Sequence, residues 1–214
     1  MKWIIFLSLL KFGPTAQAHI PVLVRESANF PVNSTFLGKG DISRAVFTEL
    51  TKIGDIGIFT FSFTKAQTAT LEVLTPYCTN IPSYESYQPL AILIRGEMPI
   101  PINPVDQNFL NRLKSKALLV SKSNYSSGQR PTGSEAGLKW WRGKEVKRIL
   151  NPGLYTVIVW SPDGQVGNYI LGLQQNEYFP PSVQDYLKKI LPQIIKGYCD
   201  PEGYSGNLKP IQSQ

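Results

Sequence analysis

The sequence predicts an all-β chain, a jelly-roll-like antiparallel β-sandwich with a C-terminal amphipathic helix, and three observations carry that prediction. Apolar residues recur with a period of two in short runs separated by Gly- and Pro-containing turns. Seventeen Gly and 17 Pro in 214 residues are poor material for long helices, because Pro lacks the backbone donor and Gly loses most freedom on ordering. With 42% hydrophobic and 17% charged residues the chain has apolar surface for one core, which excludes a disordered tail or a coiled coil.

Taken in order, residues 19–33 show little periodicity, and residues 19–40 read as an N-terminal extension. Arg44 to Thr51 alternates, and Gly57 to Thr64 sets Ile58, Thr60 and Ser62 on one side and Phe59, Phe61 and Phe63 on the other. Lys52-Ile53-Gly54-Asp55 between them supplies the Gly and Asp of a tight turn. Thr68 to Thr75 follows Lys65-Ala66-Gln67, so that the three runs predict a meander. Leu90 to Ile94, Ala117 to Ser121, Leu154 to Trp160 and Asn168 to Leu173 complete a set of about seven or eight strands. The last two are joined by Ser161-Pro162-Asp163-Gly164, where Asp-Gly fits the backbone angles of a hairpin turn better than a calcium loop.

Two segments have helical spacing. Val105 to Leu113 offers Phe109, Leu110 and Leu113 as a short connector. From Ser182, which with Asp185 resembles a capping box, Val183, Tyr186, Leu187, Ile190, Leu191, Ile194 and Ile195 fall on one face. Pro192 lies inside that pattern and is expected to kink or end the helix. The helix either covers an open face or edge of the sandwich or, with Lys188, Lys189 and Lys196 opposite, docks on a membrane surface.

Two motifs resemble a known family. GDIGIFTFSFTKAQTATLEVLTP and NPGLYTVIVWSPDGQVGNYILGL are similar to the strand-and-turn pattern of bacterial pre-peptidase C-terminal domains, in which a Gly-Asp-x-x-x-Phe-x-Phe strand and a Pro-Gly-x-Tyr-x-Val, Asp-Gly, Gly-x-Tyr-x-Leu hairpin recur. His19-Ile20-Pro21 is similar to the His-x-Pro opening of uncharacterised exported proteins of the same architecture. The resemblance implies a jelly-roll domain over residues 41–175 and carries no catalytic residue across. Residues 96–150 depart from it and read as a basic insertion, and residues 176–214 as a C-terminal helix and tail.

Residues 1–18 carry Lys2, an apolar run from Trp3 to Leu10, and Ala16-Gln17-Ala18, the order of a signal-peptidase substrate. The run is shorter than the roughly 20 residues of a spanning helix, so that an uncleaved anchor is the weaker alternative. Cleavage after Ala18 would leave His19 first and retain 20 of 22 basic residues against 15 acidic ones, a formal charge of +5 on a secreted, periplasmic or extracellular protein. In an oxidising compartment Cys78 and Cys199, 121 residues apart, have the opportunity to pair; the alternative is two unpaired thiols.

The chemistry available is narrow. Two Cys and one His fall short of the roughly four ligands of a structural zinc site, and a copper-binding N-terminal histidine brace needs a second imidazole that this chain lacks. No metal and no cofactor is expected. His19 is the one histidine base for a nucleophile, and the spacing of Asp41, Glu49, Asp55, Glu72 and Asp163 selects no acid/base pair.

Charge is concentrated instead. Arg112 to Arg148 holds ten basic residues against Glu135 and Glu145, a charge of +8, while the rest of the chain after Ala18 carries −3. Aromatic faces are interleaved. The candidate binding residues are Tyr125, Arg130, Trp140, Trp141, Arg142, Lys144, Lys147 and Arg148. If Lys139 to Arg142 is extended, the two tryptophans point to opposite faces and one of them is left to stack on a sugar. The function that follows is an exported, non-catalytic binding module whose partner is an anionic glycan, an envelope component or another protein, with no nucleic acid expected. A structural or membrane-associated accessory docking through the C-terminal helix is the alternative, and an enzyme of unknown chemistry the third.

Overall fold

The computed structural model describes residues 19–25, 34–81, 84, 86–98, 107–123, 131–133, 138–173 and 182–200. In chain order these form β1 (Ile20–Leu23), β2 (Thr35–Lys39), β3 (Arg44–Leu50), β4 (Ile56–Phe63), β5 (Gln67–Pro76), β6 (Leu90–Arg95), α1 (Gln107–Ser115), β7 (Leu119–Lys122), β8 (Thr132–Gly133), β9 (Lys139–Arg142), β10 (Val146–Leu150), β11 (Gly153–Trp160), β12 (Gly167–Leu173) and α2 (Ser182–Tyr198). The signal-peptide segment 1–18 and the tail from 201 onward lie outside the described residues.

The strands make a β-sandwich. One sheet runs β1-β3-β12-β5-β9-β8, with β10 also paired to β5, and the other runs β2-β4-β11-β6-β7. Consecutive strands β3, β4 and β5 alternate between the two sheets, which corrects the expected meander. The turns between them are arches, and the period-two pattern that identifies a strand does not say which neighbour it bonds. The same holds for β11 and β12. Gly164 takes φ +70° and its N–H bonds the Ser161 carbonyl at 3.2 Å, so the Asp-Gly turn is present, but it links two sheets rather than a hairpin.

Two further expectations change. Residues 19–40 are not merely an extension, because β1 lies parallel to β3 and β2 parallel to β4, closing one edge of each sheet. The sandwich is therefore antiparallel except at these two edges. Within the expected insertion, β7 extends the second sheet while β9 and β10 extend the first.

Both faces of each sheet are apolar, and this sets where the helices lie. Between the sheets, Phe59, Phe61 and Phe63 of β4 and Tyr155, Val157 and Val159 of β11 share a core with Val46, Leu71, Val73 and Leu171. On the opposite face of the second sheet, Ile56, Ile58, Ile92, Ile158 and Trp160 pack against Leu110 and Leu113 of α1. On the outer face of the first sheet, Ile190, Ile194 and Tyr198 of α2 join Phe47, Trp140 and Ile170. Burying apolar area at about 25 cal/mol per Å² makes these coverings worthwhile, since an uncovered face of this size would lie open to water.

Of the two outcomes expected at Pro192, a kink or an end, the end does not occur: helix α2 continues through it. Pro192 and Lys188 lie on the exposed side, where water can satisfy the Lys188 carbonyl that the proline deprives of its partner. The C-terminus of α2 is pinned several times over. Cys78 and Cys199 form a disulfide, with S–S 2.04 Å and Cα–Cα 5.5 Å. Asn168 Nδ2 donates to the carbonyls of Gly197 and Tyr198 at 2.8 and 3.3 Å, and Asn80 Nδ2 to that of Cys199 at 3.0 Å. These bonds satisfy carbonyls that the last helical turn leaves without intrahelical partners.

A tier of buried tyrosines supports this end. Tyr84 Oη accepts the Asn168 N–H at 2.8 Å, Tyr87 Oη donates to the Gly167 carbonyl at 2.9 Å, and Tyr198 Oη accepts the Tyr77 N–H at 3.2 Å. Burial pushes the Tyr84 hydroxyl up to about 12, against the opposing effect of its Asn168 hydrogen bond. Burial also raises Tyr87, Tyr169 and Tyr198.

Two outcomes are expected. Replacing Cys78 and Cys199 together with Ala lowers stability by about 4–5 kcal/mol in the chain-entropy model, measured as a shift of the urea midpoint, while far-UV circular dichroism keeps the α2 signal. Because the folded tyrosine values lie above the unfolded value of 10.0, their contribution is intact below pH 10 and is lost as pH climbs through about 12 for Tyr84. Alkaline titration followed by tyrosinate absorbance should therefore show ionisation of the buried set coinciding with unfolding.

Candidate functional site

The cationic stretch of the sequence becomes the rim at which the two sheets approach each other. β7 is the last strand of the second sheet, and β9 with β10 lines the far side of β5 in the first. Among the described residues, side chains tie this rim together. Ser121 Oγ accepts the Val73 N–H at 3.2 Å and donates to the Lys144 carbonyl at 2.9 Å. Thr75 Oγ1 and Ser123 Oγ share a hydrogen bond of 3.1 Å, and Arg148 Nη1 reaches the Leu118 carbonyl at 3.4 Å. Ser121 and Ser123 are fully buried, so these bonds satisfy groups that water does not reach.

β9 ends and β10 begins around Gly143, whose N–H bonds the Val73 carbonyl at 2.9 Å. A Cβ at Gly143 would stand 2.3 Å from that carbonyl oxygen and 2.6 Å from the Lys122 carbonyl oxygen, distances that only a glycine permits. Gly143 thus lies beside Lys122 and Lys144 beside Ser121, and the Arg148 side chain reaches across to the Leu118 carbonyl. The inward alternation of Leu119 and Ser121 leaves Val120 and Lys122 facing out.

The expected binding residues divide into three groups. Tyr125 and Arg130 lie outside the described residues. Trp140 and Trp141 are both buried, at 9% and 6% exposure, which corrects the expectation that one would be left to stack on a ligand. They do point to opposite faces, but each face is covered: Trp140 lies 6.0 Å from Phe47 and 5.2 Å edge-on from Tyr198 of α2, and Trp141 meets Tyr77 edge-on at 5.2 Å. Arg142, Lys144, Lys147 and Arg148 all reach the surface, in different electrostatic situations.

Arg142 grips Glu72 with two hydrogen bonds, Nε to Oε1 at 2.8 Å and Nη2 to Oε2 at 2.5 Å, and that hydrogen bonding holds its guanidinium above the ordinary arginine value. Lys147 pairs with Glu145 at 2.9 Å. Lys144 and Arg148 are exposed; the fold sets Lys122 beside Lys144, and Lys116 stands two residues before the Leu118 carbonyl that Arg148 reaches, both lysines being part of the basic run but not among the candidate residues. The signal for Lys122 was legible in β7: Leu-Val-Ser-Lys alternates, so the lysine faces water. The role of Ser121 was not, because an inward serine has no sequence mark that distinguishes a bridge from a filler.

Two of the carboxylates considered for acid/base work, Asp55 and Glu72, are engaged in the fold. Asp55 Oδ2 accepts from Thr51 N at 2.7 Å, Thr51 Oγ1 at 2.6 Å and Lys52 N at 3.0 Å, closing the turn before β4. Glu72 is held by Arg142 as described. The His19 ring nitrogen Nδ1 shares a hydrogen bond with Ser43 Oγ, and the Ile20 N–H bonds the Ser43 carbonyl at 3.0 Å, so that the start of β1 is tied down. Among the described residues no helix is long and apolar enough to cross a membrane.

No family model matches the chain, and no curated protein matches it. Among solved structures it is similar to the pre-peptidase C-terminal domain of a collagenase from Bacillus anthracis, at 14% identity and TM-score 0.37, covering 66% of this chain and 95% of that one. It is also similar to a β-glucosidase from Paenibacillus barengoltzii, at 12% identity and TM-score 0.36, covering 73% of this chain and 13% of that one. The first belongs to the family that the two strand motifs resemble. Neither likeness is close enough to carry a site or an activity to this chain.

Two substitutions test the geometry. Trp140→Ala should cost about 3–5 kcal/mol, read from the urea midpoint, because it empties the space between Phe47 and Tyr198. Gly143→Ala should cost about 1–3 kcal/mol by forcing the Val73 and Lys122 carbonyls apart, and a neutral result would show that the rim is not close-packed.

Proposed function

We propose that this chain is an exported, non-catalytic binding module that holds an anionic glycan of the cell envelope through charge rather than through aromatic stacking. The observation that carries the proposal is the placement of Lys116, Lys122, Lys144 and Arg148 as exposed cations along one rim while both neighbouring tryptophans are buried. A stacking platform needs an open ring face, whereas a row of exposed cations needs only an opposite charge and raises the local concentration of a polyanion. The disulfide supports an oxidising compartment outside the cytosol. Docking of α2 on a membrane is the less favoured role, because Ile190, Ile194 and Tyr198 face the sandwich and leave Tyr186 and Ile195 as the exposed apolar side chains among Lys188, Lys189 and Lys196.

The test is retention on a column of immobilised sulfated dextran. The wild-type chain should bind at low salt and elute as ionic strength rises, since exposed charges are screened within a Debye length of about 8 Å at physiological salt. Lys144→Ala with Arg148→Ala should elute markedly earlier, while Lys188→Ala with Lys189→Ala on α2 should elute with wild type. Equal retention of the rim variant and wild type would overturn the proposal.

A further inference from the structure

We infer that the rim is a track for one extended polyanionic chain, which bridges two separate cation pairs: Lys122 with Lys144 at one end and Lys116 with Arg148 at the other. This rests on the glycan-binding reading above and specifies the shape of its ligand. The pairing follows from contacts that cross the rim, a close backbone approach at Gly143 and side-chain hydrogen bonds from Ser121 and Arg148 to backbone carbonyls. Gly143 abuts the Lys122 carbonyl and Ser121 holds the Lys144 carbonyl, which brings Lys122 and Lys144 to the same level. Arg148 bonds the Leu118 carbonyl, two residues after Lys116, which gathers the second pair at the opposite end.

The four steps from Leu118 to Lys122 span about 13 Å at the rise of a strand. That exceeds the screening length of about 8–10 Å, so a compact anion seated on one pair gains little from the other. Between the pairs the charge is balanced. Glu145 is bound to Lys147 at 2.9 Å, and the outward residue of β7 at this level is the half-exposed Val120. Arg142, near the Lys122 end, is neutralised by Glu72. The rim therefore presents two attractive stations with a neutral interval, an arrangement that discriminates by ligand length. A linear chain occupying one station delivers its next charges to the second at high effective concentration, and such linkage raises overall affinity by roughly 10²–10⁴-fold without new contacts. A single phosphate or sulfate gains nothing from it.

The stations follow a line where two sheets meet, which suits a polymer strand. A lipid surface would instead engage a broad plane of charge with apolar residues to insert; Val120 and Ile149 are exposed beside these cations, and binding to vesicles separates the two ligands.

The experiment measures binding of the full chain by calorimetry, at one fixed salt concentration, to long-chain dextran sulfate and to sulfated isomaltose, its two-sugar counterpart. The long chain is expected to bind about 100-fold tighter than the disaccharide. Lys122→Ala with Lys144→Ala, and separately Lys116→Ala with Arg148→Ala, should each reduce long-chain affinity to near the disaccharide value, and the four together should abolish it. Because Arg148 also holds the Leu118 carbonyl, Lys116→Ala alone is measured beside the double variant, and urea midpoints verify that each variant is folded. Equal affinity for long and short ligands, or a variant at one end that leaves long-chain affinity intact, would overturn the two-station track while leaving the glycan-binding module standing. Failure of wild type to bind either ligand at low salt would overturn both. Tighter binding to phosphatidylglycerol vesicles than to the long chain would also overturn the track, in favour of a lipid surface.

Discussion

Each sheet of this sandwich is apolar on both of its faces, and most of the architecture answers that constraint. A sheet with one wet face can stand against its partner alone, but here the outer faces carry Phe47 and Ile170 on one side and Ile56, Ile58, Ile92 and Ile158 on the other. Each needs a helix, and α1 and α2 supply one apiece. The covering by α2 is what takes Trp140 out of the solvent, and Tyr77 does the same for Trp141. Packing demand has thus closed both of these tryptophan faces.

Much of the strand content was legible because period-two alternation is a local property. β3, β4, β5, β6, β11 and β12 each fall within a residue or two of their expected runs, and β7 is displaced by two at its start. What was not legible depends on contacts distant in sequence. β1 and β2 are short and irregular in pattern, and they are strands because β3 and β4 present edges to them. The pairing of Cys78 with Cys199 was open because thiol spacing along the chain does not report the distance between them, whereas α2 returns Cys199 to within bridging range of the end of β5.

The site was legible in charge and illegible in aromatic exposure for a related reason. A lysine at an outward strand position almost always reaches water whatever covers the neighbourhood, because its ammonium resists burial. A tryptophan goes wherever a partner surface exists, and two such surfaces were available: Tyr198 for Trp140 and Tyr77 for Trp141. The ion pairs add a second correction. Arg142 and Lys147 count toward the basic run in sequence, yet Glu72 and Glu145 lie against them in the fold, so that among the described residues Lys116, Lys122, Lys144 and Arg148 are the rim cations for which no ion pair is seen.

The disulfide has one more effect, on covalent continuity. Joining Cys78 to Cys199 turns everything between them into a closed ring that contains the entire basic stretch, from Arg112 to Arg148. A single protease cut within that ring opens the circle without separating fragments, so the cationic region stays attached to the rest of the molecule. Wherever the molecule meets a protease, that is a form of damage tolerance distinct from the thermodynamic benefit of the cross-link.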